Sequence, residues 1–216
     1  MRVNLVNIDL SPEADVTLWN VTPASIANGL ACVPRYNGAT ARPYSVAEHS
    51  VLMARWILDR PSSVKLPGKK DTLAVEALVH DAKEALIGDL TWPVLKLLDP
   101  EYVKRRTGHI EPKVRKLLGL SSFAVDRAEK FVHEIDLQIV ADECGSKELF
   151  PESWAQTCFP WNSLGVQICG WDSDRAAREW LDLWHDLREK RAERSVVPRR
   201  KKFSRQLDLP TPPGTP

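Results

Sequence analysis

The sequence predicts an all-α fold. Three observations carry this: apolar residues recur at helical spacing along most of the chain, strand-like alternation is scarce, and cap residues, prolines and glycines mark the helix boundaries. With 216 residues, 43% of them hydrophobic and 27% charged, the chain suits one globular domain with an appendage. Three segments follow: an irregular start over 1–21, a helical domain over 22–195, and a basic, proline-rich tail over 196–216, expected to be disordered or loosely docked.

In the irregular start, Trp19 is expected to anchor the chain on the body. Thr22 caps a short helix over about 23–32, with Pro23 at its first position. Residues 34–43 read as a loop from their prolines and Asn37-Gly38. Ser45 opens the next helix, and Glu48 three residues on suggests a capping box. Val46, Leu52, Met53, Trp56 and Ile57 form its apolar stripe, which stops before Pro61. Asp71 is expected to cap a third helix that runs to about Ile87 on Leu73, Ala77, Leu78, Ala82, Ala85 and Leu86, with Gly88 as its C-terminal cap. Helical pieces follow over 93–98 and 100–118. A long helix over 122–144 then buries Phe131, Ile135, Ile139 and Val140. Residues 145–170, with Phe150, Trp154, Phe159 and Trp161, read as a packed excursion with a short hairpin around Ser163-Leu164-Gly165. A last helix over 173–194 lines up Trp180, Leu181, Trp184 and Leu187, and Trp56, Trp180 and Trp184 read as core.

Thirty basic against 29 acidic side chains leave a net charge of +1, which argues against a dedicated nucleic-acid binder. Arg199-Arg200-Lys201-Lys202 then read as a solvated run in the tail. No apolar run approaches the ~18 residues that span a bilayer, and the opening residues do not read as a secretory signal. The cysteines at 32, 144, 158 and 169 make no CxxC pair; they read as reduced thiols of a cytoplasmic protein, with a structural zinc on Cys144, Cys158 and Cys169 as the lesser alternative.

The strongest chemical signal is His80-Asp81 inside an otherwise apolar helix. An imidazole beside a carboxylate is costly to bury without a partner. Glu84 follows on the same face. Taken alone, the cluster reads equally well as a solvated edge. His49, on a helix face that otherwise reads as core, and Asp136, between Ile135 and Leu137, shift the balance. Two imidazoles and two carboxylates from three helices would make a mixed nitrogen and oxygen site suited to Mn, Fe, Co, Zn or Mg. The remaining histidines differ: His109 reads as solvated, His185 stands off its apolar stripe, and His133 shares a face with Asp136.

The order His49, His80-Asp81, Asp136 resembles the ligand signature of the HD-domain metal phosphohydrolases. Arg42-Pro43-Tyr44-Ser45-Val46-Ala47-Glu48-His49-Ser50 is similar to their first ligand helix, and the run from His80 to Leu90 to their central segment. Arg35-Tyr36-Asn37-Gly38 is similar to their arginine-aromatic loop, and Trp171–Ala177 to their entry into the last helix. Within that family the chain resembles the phage dATP triphosphohydrolases and the bacterial 5′-deoxynucleotidases. The resemblance implies a single HD-domain helical bundle in a bacterial or phage-infected host cytoplasm. It implies a divalent metal held by His49, His80, Asp81 and Asp136, with Glu84 and Asp89 moving protons at the attacking water and the leaving oxygen. Arg35 would grip phosphate and Tyr36 would flank the nucleoside. Trp92, with Pro93, is expected near the base.

Two departures stand out. Where relatives often carry lysine after Pro-Val, Leu95 follows Pro93-Val94 and the lysine is Lys96; where they often carry lysine before the last ligand, this chain has His133. His133 reads as a phosphate contact, a second-metal ligand or a histidine bonded to a neighbouring helix. The expected reaction is hydrolysis of a deoxynucleotide at the α-phosphorus, dATP to deoxyadenosine and triphosphate, with a 5′-deoxynucleotidase as alternative. A non-catalytic nucleotide-binding regulatory module is the reading of another class. Self-association into a homo-oligomer is expected, with the aromatic 150–171 segment as a candidate interface.

Overall fold

The computed structural model describes residues 8–15, 20–120, 126–151 and 162–196, and every regular element among them is a helix. Trp19, Trp154, Cys158, Phe159, Trp161 and the tail beyond 196 lie outside the described residues. The first helix, α1 (Pro23–Cys32), begins where the sequence indicates. Thr22 Oγ1 accepts from the Ser25 amide at 3.2 Å and Ser25 Oγ accepts from the Thr22 amide at 2.7 Å, a reciprocal cap. Helix α2 (Val46–Leu58) starts on Ser45, whose hydroxyl accepts from the Glu48 amide at 3.3 Å.

Glu48 does not complete that box. Its buried carboxylate accepts instead from the amides of Cys169, Gly170 and Trp171, at 3.2, 3.0 and 2.6 Å. The reason is local. At Gly170, with φ at 68°, an added Cβ would lie 3.0 Å from Arg42 Cβ, so this strand of chain runs tight against the loop before α2. Its inward amides need an acceptor, and an ionised carboxylate is a strong one.

Helix α3 (Lys70–Val79) starts one residue before the expected cap: Lys69 takes the cap position without a side-chain bond, and Asp71 sits in the first turn. Lys70 Nζ donates to the carbonyls of Leu58 and Arg60, which ties the start of α3 to the end of α2. The helix does not continue to Ile87. It breaks at His80, because the imidazole Nδ1 occupies the Ala77 carbonyl at 2.8 Å. Bonds of i→i+3 type then run from Val79, Asp81 and Lys83 to Ala82, Glu84 and Leu86. His80-Asp81 therefore stand in a turn at a helix end, not in mid-helix. Trp180 Nε1 donates to the Leu78 carbonyl at 3.0 Å and satisfies an acceptor near the break. Helix α4 (Glu84–Ile87) follows and stops at Gly88, whose φ of 78° suits a glycine cap.

Helices α5 (Trp92–Leu97), α6 (Pro100–Thr107) and α7 (Ile110–Leu117) come next, the last two separated at Gly108-His109. His109 is not solvated: it is half-buried and its Nε2 bonds the Leu10 carbonyl at 2.7 Å. With Lys113, which donates to the carbonyls of Ser11, Pro12 and Ala14, it holds residues 8–15 on α7. Helix α8 (Asp126–Gly145) supplies Asp136, and α9 (Ser173–Val196) closes the bundle. The expected hairpin is absent from residues 162–170. Asp142 of α8 instead gathers the Ser163 hydroxyl and the amides of Leu164 and Gly165, the amides at 2.8 and 3.1 Å. This replaces strand pairing with a carboxylate-capped turn.

Helix α2 lies at the centre, packed on α1, α3, α8 and α9, while α1 also packs along α9. The fully buried core includes Ile26, Leu30, Met53, Ile57, Leu73 and Trp180, and Trp180 stacks on Trp184 with ring centroids 5.8 Å apart. A buried two-pronged pair, Arg115 to Glu76 at 2.7 and 3.1 Å, joins α7 to α3. Gly29 sets how near the segment from Glu84 comes: a Cβ there would lie 2.8 Å from Ala85 Cβ. Gly29→Ile is therefore expected to destabilise the fold by about 1–3 kcal/mol through overpacking, read as a lower urea midpoint at unchanged slope. An unchanged midpoint would contradict the close approach of α1 and α4.

Candidate functional site

Three elements bring ionisable side chains to one place. Helix α2 carries His49 without exposed surface, the turn after α3 carries His80 and Asp81, and α8 carries Asp136, half-buried rather than buried. His49, His80 and Asp136 each offer a ligand atom within 4.8 Å of the other two. His49 Nε2 is 3.1 Å from Asp136 Oδ1, and His80 Nε2 is 3.9 Å from the same oxygen. Asp81 Oδ2 lies 2.8 Å from His80 Nε2. The two rings stand 5.3 Å apart.

Both Nε2 atoms are buried and neither is aligned for a hydrogen bond. Both Nδ1 atoms are tied. His80 Nδ1 bonds the Ala77 carbonyl, and His49 Nδ1 bonds the Glu143 carboxylate at 2.6 Å. A carbonyl and a carboxylate only accept, so in the neutral ring each Nδ1 carries the proton and each Nε2 presents its lone pair to the carboxylates. Lone pairs and carboxylate oxygens facing each other repel unless a cation or proton lies between them. That donor set fits a divalent ion.

Where no cation neutralises them, the same carboxylates draw a proton onto His80. Burial works against charging His80, but the Asp81 and Asp136 carboxylates outweigh it and raise its pKa to about 9. Burial likewise opposes ionising Asp81 and Asp136, and the histidines hold both below the usual carboxylate range. Glu84 behaves oppositely: burial, then the charges of Asp81 and Asp89, raise it to about 9. Burial also raises Asp89, with Arg35 pulling it down and Asp81 pushing it up. Glu84 and Asp89 thus sit within the field of the centre as carboxyls whose ionisation burial opposes, which suits groups that hold and release protons.

Arg35 also stands in this field, but it is engaged: its Nη2 donates to Glu143 at 3.0 Å. Tyr36 Oη donates to the same carboxylate at 2.5 Å, and its ring meets Phe150 edge-on at 5.3 Å. His133, exposed on α8, lines a cavity of about 240 Å³ with His80, Asp81 and Asp136. That cavity also carries Glu76, Lys83, Glu111 and Glu129, so its wall is mainly acidic. Pockets for small molecules run to ~300–1,000 Å³, so this cavity is smaller than a typical small-molecule site. Trp92, Pro93 and Lys96 stand on exposed α5, where the Lys96 ammonium lies 5.1 Å from the Trp92 ring centroid; only the resemblance places them at substrate.

Sequence reasoning missed Glu143, Tyr44 and the true partner of Glu48. Glu143 stands seven residues after Asp136, two helical turns along the same face, and beyond buried Ile139. That spacing was the signal. Tyr44, in the run similar to the family's first ligand helix, carries no role of its own in the sequence reading, yet it is buried and its hydroxyl donates to Glu143 at 2.7 Å.

A family model described as HD domain matches residues 30–139, just over half of the chain. An uncharacterized protein of Rhodobacter capsulatus is 38% identical over 92 residues, 42% of this chain and 44% of that protein. The uncharacterized protein YfdR of Escherichia coli is 35% identical over 95 residues, 44% of this chain and 46% of that protein. The aligned part spans less than half the length of either relative. No helix among the described residues is long and apolar enough to cross a membrane.

The purified chain is expected to take up one divalent ion per molecule, and His49→Ala or Asp136→Ala to abolish stoichiometric uptake, both read by elemental analysis after dialysis. Equal metal content in the variants would contradict the convergence of these side chains.

Proposed function

The chain belongs to the HD-domain family, and we propose that it is a metal-dependent phosphohydrolase that cleaves 2′-deoxynucleotides at the α-phosphorus, with dATP as substrate and deoxyadenosine and triphosphate as products. The observation that carries the hydrolase reading is the pair of buried imidazole Nε2 atoms, free of hydrogen bonds, turned toward the Asp81 and Asp136 carboxylates. The choice of dATP rests on the likeness of the 35–38 loop and the 45–49 run to the phage enzymes.

A divalent ion held by His49, His80, Asp81 and Asp136 would supply Lewis-acid polarisation of a phosphoryl oxygen and a lowered pKa for water. The chain's own residues do the rest. Glu84 orders the attacking water, and takes its proton in the ionised form that a cation neutralising the neighbouring Asp81 charge would favour. Asp89, just past the cap at Gly88, gives a proton to the departing 5′ oxygen. Arg35 offers the guanidinium nitrogens that Glu143 leaves open to phosphate, a fork that matches its oxygens. Tyr36 flanks the nucleoside, Trp92 and Pro93 approach the base, and Lys96 and His133 meet the phosphates.

One observation favours a second reading, a 5′-deoxynucleotidase acting on monophosphates. The cations nearest the centre are already paired, Arg35 with Glu143 and Lys83 with Glu111 at 3.5 Å, and the adjacent cavity wall is acidic. A triphosphate would need more free positive charge than these supply.

Incubation with Co or Mn and a panel of deoxynucleoside mono- and triphosphates separates the readings. Free triphosphate from dATP supports the first, and orthophosphate from monophosphates supports the second. Hydrolysis of neither overturns both. Glu84→Gln is expected to lower kcat by about 10²–10⁴-fold while metal content stays unchanged; wild-type kcat would remove Glu84 from the chemistry.

A further inference from the structure

Glu143 has no exposed surface, yet four side chains donate to it. Its Oε1 faces His49 Nδ1 at 2.6 Å and the Tyr44 hydroxyl at 2.7 Å. Its Oε2 faces the Arg35 guanidinium at 3.0 Å and the Tyr36 hydroxyl at 2.5 Å. The first oxygen therefore fixes a ring whose other nitrogen lies 3.1 Å from Asp136. The second holds the turn Arg35–Gly38, in which Tyr36 and Asn37 adopt left-handed φ angles of 55° and 53°. Such a backbone persists in residues with a Cβ only where the surroundings over-determine it.

We propose that Glu143 is a positioning residue: it locks His49 in the tautomer that leaves Nε2 free for the metal, and it holds the Arg35–Gly38 turn against the same centre. This rests on the metal-centre reading above. It makes the substrate-side turn and the metal-ligand geometry two consequences of one carboxylate.

Glutamine is the informative replacement. Arg35 can only donate, so the amide nitrogen of a glutamine cannot face it without a donor–donor clash. The carbonyl oxygen must serve Arg35, and the NH₂ group then faces Tyr44 and His49. The Tyr44 hydroxyl can turn to accept. His49 can accept only by moving its proton from Nδ1 to Nε2, which removes the lone pair meant for the metal.

Long-range ¹H–¹⁵N histidine spectra of the metal-free full chain, with zinc titration against a chromophoric chelator, test this. In the wild type, His49 protonated at Nδ1 supports the role and His49 protonated at Nε2 overturns it, whether or not the variant folds. Glu143→Gln is expected to shift the proton to Nε2 and to weaken zinc binding by about 10–100-fold, as removal of a group that orients a ligand does. Tyr44→Phe, which removes a donor from the same oxygen without touching the tautomer, is expected to keep wild-type zinc affinity. A merely structural role would weaken both variants in proportion to their lost stability, and that result overturns the proposal. Zinc uptake that His49→Ala removes and Glu143→Gln leaves intact overturns the role of Glu143 alone. A wild-type chain that takes up no zinc overturns the centre and this role with it.

Discussion

Two imidazoles side by side, that of His49 buried and that of His80 half-buried, each tethered through Nδ1, have a single direction left in which to act. His80 is tethered to the Ala77 carbonyl and His49 to Glu143, so both Nε2 atoms point at Asp81 and Asp136. The tethers come from different sources. That of His80 is local, three residues back in its own chain, and it also ends α3. That of His49 reaches across the bundle from α2 to α8. The centre exists only while α2, the end of α3 and α8 remain packed, and the core around Met53, Leu78 and Ile135 is the packing that holds them there.

Burying a carboxylate costs several kcal/mol unless its lone pairs are filled. Glu143 and Glu48 meet that cost in different ways. Glu143 takes four side-chain donors and lies well below the usual carboxylate range, because the charge of Arg35 and the bonds from His49 and Tyr36 overcome its burial. Glu48, adjacent to His49 in sequence, takes three main-chain amides, yet burial still leaves it above its ordinary value. One glutamate thus orients a ligand while its counterpart pins the chain that enters α9. Together they fix the N-terminal turn of α2 from both sides.

Much of this was legible in the sequence. The helices α1, α2, α8 and α9 follow from periodicity and caps, because each presents a long apolar stripe to the core. The residues of the centre stood out because polar side chains in those stripes need a reason to be there. What escaped notice depended on contacts between elements far apart in the chain. No local pattern says that Glu48 will abandon its own helix cap for amides more than a hundred residues later, or that an imidazole will take a carbonyl and end α3 early. No strand forms in residues 162–170, where a hairpin was expected around Ser163, since Asp142 supplies from α8 the acceptor for the Leu164 and Gly165 amides. Glu143 lay within reach of the helical spacing that singled out Asp136.

The central claim is that two imidazoles and the neighbouring carboxylates face one cation. X-ray absorption of the cobalt-loaded full chain measures this most directly. The account predicts a first shell of nitrogen and oxygen with the outer-shell scattering of two imidazole rings. A shell of oxygens with no imidazole scattering would contradict it.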